Sequence, residues 1–181
     1  YMCCCRRFKR MSAATHRIPL RKNDRKLFLD RVSAKLGLNI EATFGSKPQV
    51  EVTETSKGKI YVVDGRPLIT EFEEKMFPTL QFEECISHLP KVVVDMGAVP
   101  YICNKADVMG PGIVEIQGEF EPKSLVAVVD VKNRKPIAVA ESIYDSKTSA
   151  TIKKGKLFRN LHCVGDEIWT VAKDIEDRRK S

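Results

Sequence analysis

Between Asp24 and Leu36 apolar side chains return every fourth position, at Phe28, Val32 and Leu36 with Leu29 alongside. Asp24, Lys26, Arg31 and Lys35 fill polar positions between them. A period near 3.6 gathers the apolar set on one side, so 24–36 is predicted to be an amphipathic helix. Asn23 is placed to cap its start through the side-chain oxygen, and Gly37 to end it. Arg17 to Leu20 reads as a short strand. The period then changes to two: Val50-Glu51-Val52-Thr53 alternates, and Ile60-Tyr61-Val62-Val63 is apolar and β-branched, both signatures of strands. Ser56-Lys57-Gly58 joins them as a hairpin turn. Asp64-Gly65 marks a type I′ turn, whose two central residues need positive φ, and Arg66 to Phe72 returns as a third strand. Glu83 to His88 is predicted to be a short helix in a connection bracketed by Pro78 and Pro90. Together these elements make a small α+β unit around an antiparallel meander.

A boundary near Leu89-Pro90 separates this unit from a run of short strands. They are Lys91 to Val94, Ile113 to Ile116, Leu125 to Val129, Pro136 to Ala140 and Ile168 to Val171. Val99 to Ala106 is the helical stretch among them, with Val99, Ile102 and Ala106 on one face. Pro100 is compatible with a helix that begins near Ala98, because a first-turn amide has no intrahelical partner to lose. Met109-Gly110-Pro111-Gly112 is a tight turn. Trp169 is expected in the core on the last strand, and Tyr101 is placed in the core ahead of the surface. Short strands separated by turn residues predict a small barrel or sandwich.

Composition fits a folded globular protein of one medium or two small domains: 181 residues, 43% hydrophobic and 30% charged. The formal net charge of +7 points towards a polyanionic partner, and it is unevenly spread. Basic residues dominate from Arg6 to Lys35. Glu51, Glu54, Glu71, Glu73, Glu74, Glu83 and Glu84 form an acidic, solvated face in between, leaving the N-terminal arm and the C-terminal half to build a basic surface. No stretch approaches the ~18–20 consecutive apolar residues of a membrane-spanning helix, so no membrane partner is expected. Tyr1 to Arg10 lacks the apolar core of a secretory signal. Cys3-Cys4-Cys5 beside basic residues is a palmitoylation-like cluster. The simpler expectation is a flexible basic arm over 1–11, or an extension upstream of a natural start at Met11; a chain beginning at Tyr1 is not expected to be an intact translation product. Cys85, Cys103 and Cys163 are widely separated and no C-x-x-C pair occurs, so no metal site is predicted. Free cysteine packs like a small hydrophobe, and a reducing, cytoplasmic setting follows.

Val94-Asp95-Met96-Gly97-Ala98, Lys105-Ala106-Asp107-Val108-Met109 and Pro111-Gly112-Ile113 together resemble the opening of a PUA domain. Gly155, Asn160-Leu161-His162, Asp166 and Trp169 resemble its close. Phe77-Pro78-Thr79-Leu80 is similar to the segment preceding PUA in the family of the malignant T-cell-amplified-sequence protein and ligatin, which is associated with translation initiation and ribosome recycling. The resemblance covers roughly residues 17–172 and is specific across 94–113 and 155–169. It implies a pre-PUA α+β domain over 12–89, a β-barrel PUA domain over 90–172 and a charged tail over 173–181. Ala140 departs from the pattern, since the family commonly has glycine there.

The resemblance further implies an RNA surface built from the first PUA helix, the loops at its ends and the next strand. Gly97 and Gly112 lack a Cβ, so backbone amides there can approach phosphates closely. The helix start near Ala98 presents unpaired N–H groups. Asn104 and Lys105 are expected to project outward, Lys105 towards a phosphate and Asn104 towards a base edge or 2′-hydroxyl. Tyr101, if exposed, can stack on a base. Pro111, Lys153 and Lys154 complete the candidate set, with Lys147, Lys156 and Arg159 as further positive charge. His162 is expected to make a structural bond. No cofactor is expected. No phosphate-binding loop, nucleophile elbow or metal-ligand cluster is present, so the function implied is non-catalytic RNA binding in translation, not an enzyme's. The partners implied are structured RNA, either rRNA or a tRNA acceptor end, with the small ribosomal subunit and a translation-factor protein. The alternatives are an accessory subunit that guides a separate RNA-modification enzyme, and a protein scaffold that has lost RNA binding.

Overall fold

The computed structural model describes residues 16–181. The expected basic arm over 1–11, with its cysteine cluster, lies outside the described residues. Two sheets carry the fold. The first is a meander of five strands in sequence order: β1 (Ile18–Pro19), β2 (Val50–Thr55), β3 (Gly58–Val63), β4 (Arg66–Phe72) and β5 (Lys75–Pro78). Helices α1 (Lys22–Leu36) and α2 (Ile40–Phe44) cross between its first two strands, and α3 (Glu83–His88) follows it. The continuous apolar run 60–63 is explained by burial on both faces of this sheet. Tyr61 and Val63 face Phe28 and Val32 of α1, with Phe28 and Tyr61 stacked at 4.2 Å. Ile60 and Val62 face the other way.

Asp64 and Gly65 adopt φ of 48° and 79°, as the type I′ turn requires. A second turn of this kind, not foreseen, joins β4 to β5 with Glu73 and Glu74 at φ of 48° and 63°. Helix α1 starts two residues before the expected position. Its N-cap is Arg21, whose side chain makes no capping bond, and Asn23 lies inside the first turn. Gly37 does end it, at φ 64° with its amide on the Ser33 carbonyl. Glu71 is not on a solvated face: it accepts hydrogen bonds from Arg31 of α1 and from Tyr61 Oη.

The second sheet has six strands: β6 (Lys91–Val94), β7 (Val108–Met109), β8 (Ile113–Gln117), β9 (Leu125–Asp130), β10 (Pro136–Ser142) and β11 (Lys156–Cys163). Their order, β7-β11-β10-β9-β6-β8, places strands consecutive in sequence at opposite edges. The sheet therefore curls until β7 and β8 are joined by the single 3₁₀ turn Gly110–Gly112. Val92, Val94, Val126, Val128, Ala138, Ala140, Leu157 and Phe158 fill the interior, and Ile102 of helix α4 (Val99–Cys103) closes one end. Ala140 is fully buried there, one residue past a β-bulge, so its methyl is part of the packing.

The expected strand over Ile168–Val171 is a helix. Asp166 caps it by accepting from the Trp169 amide at 2.7 Å, and α6 then runs from Glu167 to Lys180. Ile168, Val171 and Ile175 have the spacing of one helical face, which the short window 168–171 could not distinguish from a strand. Trp169 is accordingly half-buried on the helix with Lys173 over its ring at 4.8 Å, not in a barrel core. Residues 173–180, within the expected charged tail, continue helix α6. Strand β11 and helix α5 (Ser146–Thr151) were not foreseen. Helix α6 fills the space between the two sheets: Ile168, Val171 and Ile175 pack with Ile60, Val62 and Phe77 of the first sheet and with Ala127 and Val139 of the second.

Candidate nucleic-acid interface

Helix α4 is only five residues long, because Lys105 at φ 69° turns the chain out of it. The Lys105 amide bonds the Ile102 carbonyl at 3.0 Å and the Ala106 amide bonds that of Tyr101 at 3.0 Å, the pattern of a Schellman C-cap with lysine where glycine is usual. Asn160 of β11 secures this exit. Its side-chain amide donates to the carbonyls of Ile102 and Ala106 at 2.9 and 3.0 Å, and its backbone amide donates to Asp107 at 2.8 Å. Ala106 is consequently exposed, beyond the helix and not on its inner face. At the other end, the Ala98 amide is engaged by the Asp95 carboxylate at 2.8 Å. Ile102, with Val99 and Cys103 partly buried beside it, seals the barrel on this side, and the neighbouring Tyr101 is left 71% exposed, against the expectation of core packing.

A groove of about 370 Å³ runs along α4, lined by Gly97, Ala98, Tyr101, Met109, Pro111 and Gly112. A Cβ on Gly112 would stand 2.8 Å from that of Ala98, so glycine is what brings the 3₁₀ turn against the helix. Gly110 plays the same part for the neighbouring loop: a Cβ there would stand 2.8 Å from the Lys153 backbone. That contact sets the backbone of the exposed Lys153 and Lys154 against the 3₁₀ turn that borders the groove. Exposed Met96 and Met109 extend the apolar rim, 46% and 48% accessible. Asp107 does not oppose an anion freely, since Lys156 pairs with it at 2.7 Å. Burial would raise its pKa, but Lys156 and the Asn160 amide hold it below the usual aspartate range.

Lys105 does not line the groove. It points to a second hollow, of about 240 Å³, between the two sheets, where Arg159 of β11 and Lys57 of the β2–β3 turn also lie. Asn104 is exposed and lines neither. Behind the hollow, buried His162 joins the halves of the molecule. Its Nε2 accepts from the Leu80 amide at 3.2 Å, so Nδ1 carries the proton and donates to Asp166 at 2.8 Å. Burial alone would raise the Asp166 pKa; the bond from His162 and the amides of Trp169 and Cys163 outweigh it and keep the group below the usual range. Cys85 and Cys163 are buried and free, their thiols pushed up to about 11, chiefly by burial.

The candidate residues therefore divide. Gly97, Ala98, Tyr101, Pro111 and Gly112 form one groove with Lys153 and Lys154 at its side, while Lys105 faces the hollow. The sequence reading missed Met96, Met109 and Lys57. The methionines were legible only as parts of the PUA-like run, and Lys57 as a turn residue. Nothing local to Ser56-Lys57-Gly58 shows that this turn leans on α6, where Ser56 bonds the Glu167 carboxylate.

Residues 90–164 match the family model of the PUA domain, and residues 16–82 match that of a domain of unknown function, DUF1947. An uncharacterized protein of Methanocaldococcus jannaschii is 37% identical over 134 residues, 72% of this chain and 82% of the relative. Translation machinery-associated protein 20 of Saccharomyces cerevisiae is 25% identical over 138 residues, 72% of this chain and 76% of that protein. The crystal structure of a hypothetical protein from Pyrococcus horikoshii superimposes with a TM-score of 0.71 at 32% identity, covering 86% of this chain and 99% of that one. With the meander, the curled sheet and these matches on both halves, the chain belongs to the family that joins a pre-PUA domain to a PUA domain, that of the malignant T-cell-amplified-sequence protein and ligatin.

Proposed function

We propose that this protein is a non-catalytic RNA-binding component of the translation apparatus, gripping structured RNA through the groove along α4. The observation that carries the proposal is Tyr101, 71% exposed on a helix and lining the groove, whose bordering turn packs at Gly110 on the backbone of the exposed Lys153 and Lys154. An aromatic left in solvent costs hydration without a folding return, whereas stacked on a base it contributes ~1–3 kcal/mol. Backbone at Gly97 and Gly112 gives close access, and Lys153 and Lys154 supply the phosphate contacts that orient a strand without reading it. Translation is the setting favoured by the relative whose name ties it to the translation machinery. Catalysis is not part of the proposal: the buried His162 and Asp166 are committed to each other and to backbone amides.

The test is affinity for a structured rRNA or tRNA fragment. Tyr101→Ala combined with Lys153→Ala and Lys154→Ala is expected to weaken binding about tenfold or more, since loss of one stacked base alone is worth ~1–3 kcal/mol. All three side chains are exposed, so the urea midpoint should hold. Unchanged affinity in the triple variant would overturn the proposal.

A further inference from the structure

The hollow between the sheets differs from the groove in its chemistry. Its floor is apolar, made by Phe72 and Phe77 of the pre-PUA sheet and by Leu161 and Ile168. Its rim carries Lys57, Lys105 and Arg159, none of which forms an ion pair among the described residues. Of the other charged groups lining it, Lys75 is held by Glu141 at 2.7 Å, and Asp166 is spent on His162 and the start of α6. Against the three cations stand the exposed Glu73 and the buried, hydrogen-bonded Asp166 carboxylate, so the lining keeps a net positive charge. Exposed, unneutralised positive charge above a hydrophobic floor is complementary to a phosphate attached to a flat, weakly polar ring. The volume of about 240 Å³ falls below the ~300–1,000 Å³ of pockets for drug-sized ligands. A duplex is excluded, and the space is of the order of a single base with its phosphate at the rim.

The hollow is also continuous with the groove in chain terms. Ala106 and Asp107 line the groove and Lys105, immediately before them, lines the hollow. The left-handed backbone at Lys105 is what turns its side chain away from its neighbours. We propose that the hollow between the two domains takes an unpaired nucleotide of the same RNA whose structured part lies along α4, with Lys57, Lys105 and Arg159 on its phosphate. This rests on the RNA-binding reading above and adds a second, single-stranded subsite to it. Asn160, an uncharged polar side chain on the lining, has its Nδ2 donors committed to two carbonyls, so no side-chain amide donor is left to read a base edge and the subsite discriminates little among bases.

The test compares an RNA hairpin with the same hairpin carrying short unpaired tails at its 5′ or 3′ end, on the full chain. In the wild type one tail is expected to tighten binding about tenfold, the worth of a stacked, phosphate-held base, and tails of different base should agree. Lys57→Ala with Arg159→Ala, both exposed, should abolish that gain while leaving hairpin affinity within about threefold, as befits the loss of distant charge. A 4-thiouridine in the tail should crosslink to the segment around Phe72. A tail that adds nothing to wild-type binding, or a gain that survives the double variant, would overturn the subsite while hairpin binding kept the groove in place. Failure of the hairpin to bind at all would overturn both.

Discussion

Lys105 shows how one backbone angle ties stability to function. A non-glycine residue in the left-handed region costs on the order of 1 kcal/mol, and here it falls at the point that separates groove from hollow. Lys105→Gly is expected to raise stability by about 0.5–1 kcal/mol in urea while weakening RNA binding; Lys105→Ala should lose the binding without the stability gain. Equal stability of the two variants would show that the angle is not a source of strain. Asp166 carries a prediction of pH dependence. Its pKa is depressed by folding, so its contribution is complete above the unfolded aspartate value near ~3.9 and is lost as pH falls through the lower folded value. Wild type should therefore lose more stability than Asp166→Asn between pH 6 and the acid limit, the variant serving to subtract the other depressed carboxylates. Parallel losses would contradict the role given to this group. Single residues of this kind were only partly legible in the sequence. The Asp64-Gly65 turn and Gly37 announced themselves because their geometry demands their residue type. Tyr101 did not, since a tyrosine beside isoleucine carries no sign of which one the barrel needs.

Helix α6 marks the limit of reading by pattern. Four residues, Ile168 to Val171, satisfy a strand as well as a helix, and the charges of Lys173 to Lys180 read as solvent-facing. The missing information was the surface opposite them: Ile175 is 4% exposed because both sheets turn an apolar face towards it. Ile175→Ala is expected to cost about 2–5 kcal/mol, as for a buried isoleucine elsewhere, measured by urea unfolding. A cost near zero would restore the tail. The elements that were legible, the meander over 50–72, α3 and β6, have strong local signals. Those missed, α2, β5, β7, α5 and β11, are short or, like β11, mix lysine, arginine, asparagine and histidine into a strand whose partners lie elsewhere in the sequence.

The two domains share a core through α6 and a buried histidine bond, so the molecule presents groove and hollow in a fixed relation. A shared core predicts one cooperative unfolding transition, coincident by fluorescence of Trp169 and by circular dichroism; two separated transitions would show that α6 does not couple the halves. The resemblance to the PUA family gave both domains, and the charge pointed only towards a polyanionic partner. Neither gave the hollow, which exists only where the two domains meet. Net charge of +7 has a direct consequence for binding, because each phosphate neutralised releases counterion. The decisive measurement is the association constant for a structured RNA fragment as a function of salt. Lys153 and Lys154 engaging two phosphates predict a log–log slope of about −1.4 or steeper, at roughly 0.7–0.9 per phosphate. An association constant that stays level from about 50 to about 200 mM salt, where such contacts must weaken, would contradict an RNA-binding role for this surface.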